Sequence, residues 1–156
     1  MRNGCSHALE LFTAAGDQPG RAAALNAVGW SYARVGDHWQ ALSYCHQALE
    51  LFRELGYAQE EAAVWDSLGY AHHHLDDHAD AVACYQRSLT LRRQAGNRWG
   101  QAQTLDHIGD AQRAAGHPDE ARASWEEALT ILDDLHHSHA GQIRAKLAEL
   151  GPSLPA

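Results

Sequence analysis

The chain has 156 residues, of which 45% are apolar and 21% are charged, and its formal net charge is -8. This length is sufficient for one globular domain with a buried core. Alanine contributes 29 residues and leucine 18, against seven valines and isoleucines together, which favours an all-α fold. The acidic balance, with Lys146 as the only lysine, argues against direct nucleic-acid binding.

Several other protein classes lack support in the sequence. No apolar run approaches the roughly 18 residues of a membrane span, and Glu10 interrupts the start before a signal-peptide core could form. We therefore expect a cytoplasmic protein with no membrane partner. No Gly-Lys pair is present for a phosphate-binding loop, and three widely spaced cysteines do not suit a disulfide framework. No cofactor is predicted.

A period of 40 residues organises the chain. Residues 21–60, 61–100 and 101–140 align without a gap, so that Gly29, Gly69 and Gly109 share one position. Residues 5–20 match the second half of a unit and predict a half repeat at the start. A fixed period of this length predicts stacked units of one kind, which we assign to a single domain over residues 1–156.

Each unit is predicted to contain two helices. Apolar residues recur at helical spacing from Leu25 to Tyr32, Asp37 caps the following helix, and Asp77 repeats that role in the second unit. Pro118 suits the first turn of a second helix in the third unit. Residues 141–150 carry apolar side chains at helical spacing and predict a capping helix, followed by a tail at 151–156.

A known motif appears at these positions. The pattern W-x2-L-G-x2-Y followed by A-x3-F is represented by WDSLGYAH at 65–72 and AVACY at 81–85. The chain resembles the tetratricopeptide repeat family over about residues 5–140, in a variant with 40 rather than 34 residues per unit. The resemblance implies a right-handed α-solenoid of stacked antiparallel helix pairs. Such arrays are similar to those in bacterial transcriptional regulators and in scaffold adaptors.

The resemblance also implies a binding surface, because the first helices line a concave groove in this family. The family's groove positions correspond here to Asn26, Trp30, Arg34, Asp66, Tyr70, His73, Asp106, Asp110 and Arg113. Asn26, Asp66 and Asp106 occupy one repeat position and form a ladder of short polar side chains. With three aspartates against two arginines, this set favours a protein or extended-peptide ligand that bears Arg or Lys.

The leading functional hypothesis is a non-catalytic module that binds a protein or peptide, for scaffolding or ligand sensing within a larger regulatory assembly. A small signalling-peptide receptor is the alternative, and a metal-dependent enzyme at the histidines is a remote one. The half repeat leaves Leu9, Leu11 and Phe12 without a covering first helix, which predicts self-association into a homo-oligomer.

Histidines cluster from His72 to His78. His74 and His78 have the i, i+4 spacing of two zinc ligands in metalloproteases, but the glutamate of the HExxH motif is absent. A turn expected at Asp76-Asp77 also breaks the helical spacing. We therefore predict a solvated helix end and no dedicated metal site, with adventitious metal binding as the alternative. We expect a polar loop around His136 to His139.

Overall fold

The computed structural model describes residues 4–153, which form eight α-helices and no β-strand. The helices are α1 (Gly4–Ala15), α2 (Gln18–Arg34), α3 (His38–Leu55), α4 (Ala58–His74), α5 (His78–Gln94), α6 (Arg98–Ala114), α7 (Pro118–Asp134) and α8 (Ala140–Leu150). The predicted all-α fold is confirmed, and residues 154–156 of the predicted tail lie outside the described range. None of these helices combines the length and apolar character needed to cross a membrane.

Successive helices pack against each other in pairs. α2 packs with α3, α4 with α5 and α6 with α7, while α1 packs on α2 and α8 on α7. α2 also contacts α4, and α4 contacts α6, so the first helices of the three pairs form a row. The arrangement is an α-solenoid, in which each unit buries its apolar face against its neighbours.

The first helix of each pair begins three residues before the predicted unit. α2, α4 and α6 start at residues 18, 58 and 98, against predicted unit starts at 21, 61 and 101. In two cases a polar residue explains the early start. Asp17 accepts a 3.0 Å hydrogen bond from the amide of Gly20, and Asn97 accepts one of 2.9 Å from the amide of Gly100. Both side chains satisfy amides of a first helical turn.

The second helices begin where the sequence marks them, at Asp37, Asp77 and Pro118, although only one of the two aspartates makes a capping hydrogen bond. Asp37 accepts a 3.2 Å hydrogen bond from the amide of Gln40, and Pro118 occupies the first turn of α7. Gly56 ends α3 with a left-handed φ of 73°. Asp77 precedes α5 but makes no capping hydrogen bond, so the predicted repetition of the cap is wrong at this position.

Glycines at the shared repeat position allow the paired helices to touch. A Cβ atom at Gly69 would lie 2.6 Å from the Tyr85 ring, and one at Gly29 would lie 2.6 Å from the Sγ atom of Cys45. Ala81, on the opposing helix, is completely buried. The repeat alignment therefore identified positions where two helices come into direct contact.

Two of the cysteines belong to the core. Burial raises the pKa of the Cys45 thiol to about 12, and burial together with the charge of Asp80 raises that of Cys84 to about 11. Both thiols are therefore protonated at neutral pH, and they pack as small apolar groups.

Candidate functional site

Two adjoining cavities lie along the row of first helices. The larger has a volume of about 540 Å³ and the smaller about 330 Å³. Tyr70 and His107 line both of them. Most lining residues belong to α2, α4 and α6, while Tyr85 and Arg92 of α5 and Lys146 of α8 complete the walls. The surface around these two cavities is termed the groove.

Seven of the nine predicted binding residues line the groove. Those at the smaller cavity are Asn26, Trp30, Asp66 and Tyr70, and those at the larger one are Tyr70, His73, Asp110 and Arg113. Arg34 and Asp106 are not among the residues that line the two cavities. A binding role for the nine residues stays a prediction.

An aromatic wall runs through the groove. The rings of Trp30 and Tyr70 meet edge to face with centroids 4.9 Å apart, and His74 stacks on Tyr70 at 4.0 Å. Trp30 remains 40% exposed. Aromatic rings in this arrangement offer a flat apolar contact surface with polar edges, which suits the side chains of a bound polypeptide.

Asp66 is tied to neighbouring helices. Its Oδ2 atom accepts a 2.6 Å hydrogen bond from Nη2 of Arg92, and its Oδ1 atom accepts one of 3.2 Å from the hydroxyl of Thr104. Arg92 also donates from Nε to the hydroxyl of Ser88 at 3.1 Å. Only 18% of the Asp66 side chain and 16% of the Arg92 side chain are exposed. The network therefore joins α4, α5 and α6.

Asp106 is buried and bonded to the capping helix. It accepts a 2.6 Å hydrogen bond from Nζ of Lys146, and its other oxygen lies 3.1 Å from Nε2 of His139. Lys146 donates a second bond, of 2.9 Å, to Asp110. Burial alone would lower the pKa of Lys146, but its bonds to the two carboxylates raise it overall. The carboxylate of Asp106 is therefore part of the packing between α6 and α8 and is not a free group of the ladder.

The charge balance of the groove also differs from the sequence-based expectation. Asp66 has Arg92 as its partner, and Asp106 and Asp110 share Lys146. Each of the three aspartates that made the predicted set acidic thus has a cationic partner within the protein.

Sequence reasoning missed several groove residues, among them Lys146, Arg92 and His107. A signal existed for Lys146, which follows Asp106 by 40 residues and so continues the ladder into α8. Arg92 occupies the repeat position that Phe52 fills with an apolar side chain, and a charge at a core position indicates a buried partner. No pattern in the sequence pointed to His107.

The histidine-rich turn between α4 and α5 is less solvated than predicted. His74 is exposed, whereas His72, His73 and His78 are half-buried. The Nδ1 atoms of these three are inaccessible and have no hydrogen-bond partner among residues 4–153. Burial and the neighbouring His74 and His78 lower the pKa of His73. α4 ends at His74 and α5 begins at His78, so the turn interrupts their i, i+4 spacing as predicted.

The histidines near α8 also contribute to packing. The ring of His137 stacks on Trp99 with centroids 4.0 Å apart, and His139 contacts Asp106. The segment predicted as a polar loop therefore helps to hold α8 against the last helix pair.

The apolar edge predicted at the start of the chain is smaller than expected. Leu9 packs against the core and Phe12 is half-buried, whereas Leu11 is 57% exposed. α2 provides the cover for the first two side chains, since α1 packs on it. Self-association stays a prediction. Of the three side chains predicted to mediate it, only Leu11 is exposed.

Stacked helix pairs with a lined groove define a helical-repeat protein. The tetratricopeptide repeat family model matches residues 2–54 and 60–134. Because these ranges cover most of the sequence, the chain belongs to the tetratricopeptide repeat family. No curated protein sequence gives a significant match.

Solved structures share the fold at low sequence identity. The apo form of RapI superposes with a TM-score of 0.79 at 18% identity, over 86% of this chain and 38% of RapI. A Rap protein complexed with Competence and Sporulation Factor gives 0.82 at 18% identity, over 94% of this chain and 41% of that one. The N-terminal domain of stress-induced protein-1 from C. elegans gives 0.70 at 14% identity, over 87% and 98%. The chain thus spans less than half the length of the two Rap proteins.

Proposed function

We propose that this protein is a non-catalytic binding module that holds an extended segment of a protein or peptide in the groove. The observation that carries the proposal is the pair of adjoining cavities along α2, α4 and α6, with the aromatic wall between them. One extended ligand can contact all three helices in this position, because the cavities share Tyr70 and His107.

The chemistry of the groove suits a polypeptide. Asn26 and Gln103 offer amide groups that can bond to the ligand backbone, while Trp30 and Tyr70 offer apolar contact for its side chains. Because Asp66 already has a cationic partner, a strongly basic ligand is not required. We propose that apolar and backbone hydrogen-bonding contacts supply most of the affinity.

The cellular setting follows from the same proposal. A binding module of this kind would act by scaffolding or ligand sensing within a larger cytoplasmic regulatory assembly. The similarity to a Rap protein solved with Competence and Sporulation Factor favours the second candidate function, a receptor for a small signalling ligand. In that case ligand binding would change the packing of the first helices and hence the surface shown to a partner.

The groove assignment is tested with peptides selected from a random displayed library on the immobilised full chain. We expect Trp30→Ala to weaken the selected peptides by about tenfold or more, since removal of a central aromatic contact typically costs over 1 kcal/mol. Fluorescence anisotropy measures the affinity, and circular dichroism checks the fold of each variant.

Trp39→Ala is the matched control, because Trp39 lies on α3, is 70% exposed and does not line the two cavities. Peptides that lose affinity for Trp39→Ala and keep it for Trp30→Ala would contradict the groove assignment. Binding abolished only by substitution of His72 and His78 would place the site at the histidine-rich turn.

We also propose that the protein self-associates weakly through α1. Leu11→Glu should lower the mass measured by light scattering at high protein concentration, because it places a charge on the exposed apolar side chain. Leu9 and Phe12 are unsuitable for this test, since they pack against α2. A wild-type chain that remains monomeric over a wide concentration range would contradict self-association through α1.

A further inference from the structure

We infer that the turn between α4 and α5 binds one divalent transition-metal ion through His72, Asp77 and Asp80. These three side chains offer one imidazole nitrogen and two carboxylate oxygens, and the three atoms lie within 4.8 Å of one another. His72 lies in the last turn of α4, Asp77 immediately precedes α5, and Asp80 lies in the first turn of α5. The set therefore bridges the two helices of the second unit.

The Nδ1 atom of His72 has no hydrogen-bond partner among the described residues. This atom is inaccessible, and it lies 3.7 Å from Oδ2 of Asp77. This separation is too long for a hydrogen bond. It is only slightly longer than the distance of about 3.3 Å between two ligands that each lie 2.0–2.1 Å from one zinc ion in tetrahedral geometry. A buried, unpaired polar atom calls for an ion or a water as its partner.

The conformation of Asp77 provides a second indication of a metal site. Asp37 occupies the same position in the first unit, and its carboxylate caps α3 with a 3.2 Å hydrogen bond to the amide of Gln40. The carboxylate of Asp77 makes no such bond to α5 and lies beside His72 instead. A capping bond normally stabilises a helix by about 1 kcal/mol, so its absence here leaves this carboxylate available to a ligand.

The ligand set determines the class of ion. One imidazole and two carboxylates suit Zn²⁺, Co²⁺ and Mn²⁺ better than Ca²⁺ or Mg²⁺, which prefer oxygen ligands alone. The two carboxylates repel each other without a cation, and a dication would neutralise their charge. Asp77 and Asp80 are both exposed, so they can rotate toward a common ion and leave a position for water.

Comparison of the repeats shows that the set is complete in the second unit alone. The positions of His72, Asp77 and Asp80 hold Tyr32, Asp37 and Gln40 in the first unit. In the third unit they hold Gln112, His117 and Glu120. The first unit therefore keeps the central aspartate without its two companion ligands, and it supplies a control within the same chain.

The metal site is separate from the groove. His73 and His74 line the larger cavity, whereas His72, Asp77 and Asp80 do not line either cavity. The inference therefore does not depend on the proposed function. An ion at this turn would hold the ends of α4 and α5 together and so stabilise the second unit.

The test is a calorimetric titration of the chelator-treated full chain with Zn²⁺ alone, followed by titration with Co²⁺ monitored by visible absorption. We expect one equivalent to bind with saturation. His72→Gln and Asp80→Asn should each weaken that binding by about tenfold or more, since even groups outside the first ligand shell affect affinity by 10–100-fold. Asp37→Asn and His73→Gln should leave it unchanged.

A second measurement separates binding from damage to the fold. Zn²⁺ should raise the melting temperature of the wild type and of Asp37→Asn, but not that of Asp80→Asn, whose exposed side chain is not needed for folding. Absence of a saturable single equivalent would overturn the inference. Wild-type Zn²⁺ affinity in both His72→Gln and Asp80→Asn would also overturn it. A loss of Zn²⁺ binding in His73→Gln would overturn it as well, because the metal would then be bound by other histidines.

Discussion

Substitution of Gly69 by leucine is expected to lower the free energy of unfolding by about 2–3 kcal/mol. The added Cβ would lie 2.6 Å from Cε1 of Tyr85 and 2.7 Å from Cδ1. Tyr85 is 2% exposed and belongs to the buried core cluster, so displacement of its ring would disturb the residues packed around it. The higher helix propensity of leucine recovers less than about 1 kcal/mol. For a chain of this length the net loss corresponds to a melting temperature lower by about 5–10 °C.

Urea unfolding followed by circular dichroism measures the effect, and Gly141→Leu is the matched control. Gly141 lies in the first turn of α8, where an added Cβ would meet no atom within 4 Å. The control should therefore be as stable as the wild type or slightly more stable. Ala81→Leu tests the same contact from the opposing helix, because Ala81 is completely buried. Equal stability of Gly69→Leu and Gly141→Leu would contradict close contact at the repeat glycines.

The helices could be predicted because their determinants are local and repeated. Three copies of one apolar pattern, each with a glycine at the position of Gly69, specify which helix faces meet. Gly56 and Pro118 mark the end and the beginning of helices through their own backbone preferences. The predicted units begin three residues after the starts of α2 and α6, because the repeat frame depends on the apolar positions and not on the capping residues Asp17 and Asn97.

The burial and the hydrogen-bond partners of the site residues could not be predicted in the same way. Asp66 and Asp106 share a repeat position and a residue type, but their burial depends on side chains 26 and 40 residues further along the chain. The period places Lys146 in register with Asp106 but does not determine whether its side chain reaches the carboxylate. Likewise, Asp37 and Asp77 are equivalent in sequence, and only the structure distinguishes the one that caps a helix from the one that does not.

Replacement of Asp106 by alanine is expected to lower the free energy of unfolding by about 3 kcal/mol, because a buried ion pair loses one member. Only 8% of the Asp106 side chain is exposed. Lys146 keeps its bond to Asp110, which places the loss at the lower end of the usual range of about 3–5 kcal/mol. Because the pKa of Lys146 is raised in the folded state, the stabilisation is present at neutral pH and is lost only as the pH rises through that pKa.

Asp134→Ala is the control, since Asp134 pairs with Arg98 at 3.2 Å while 65% of its side chain is exposed. An exposed pair contributes about 0–1 kcal/mol, so this variant should unfold close to the wild type in urea at neutral pH. If Asp106→Ala were as stable as the wild type, the buried ion pair with Lys146 would make no net contribution to stability. If it is destabilised as expected, loss of ligand binding in that variant would report on the packing of α8 against α6. Trp30 and not Asp106 is therefore the residue whose substitution tests the groove.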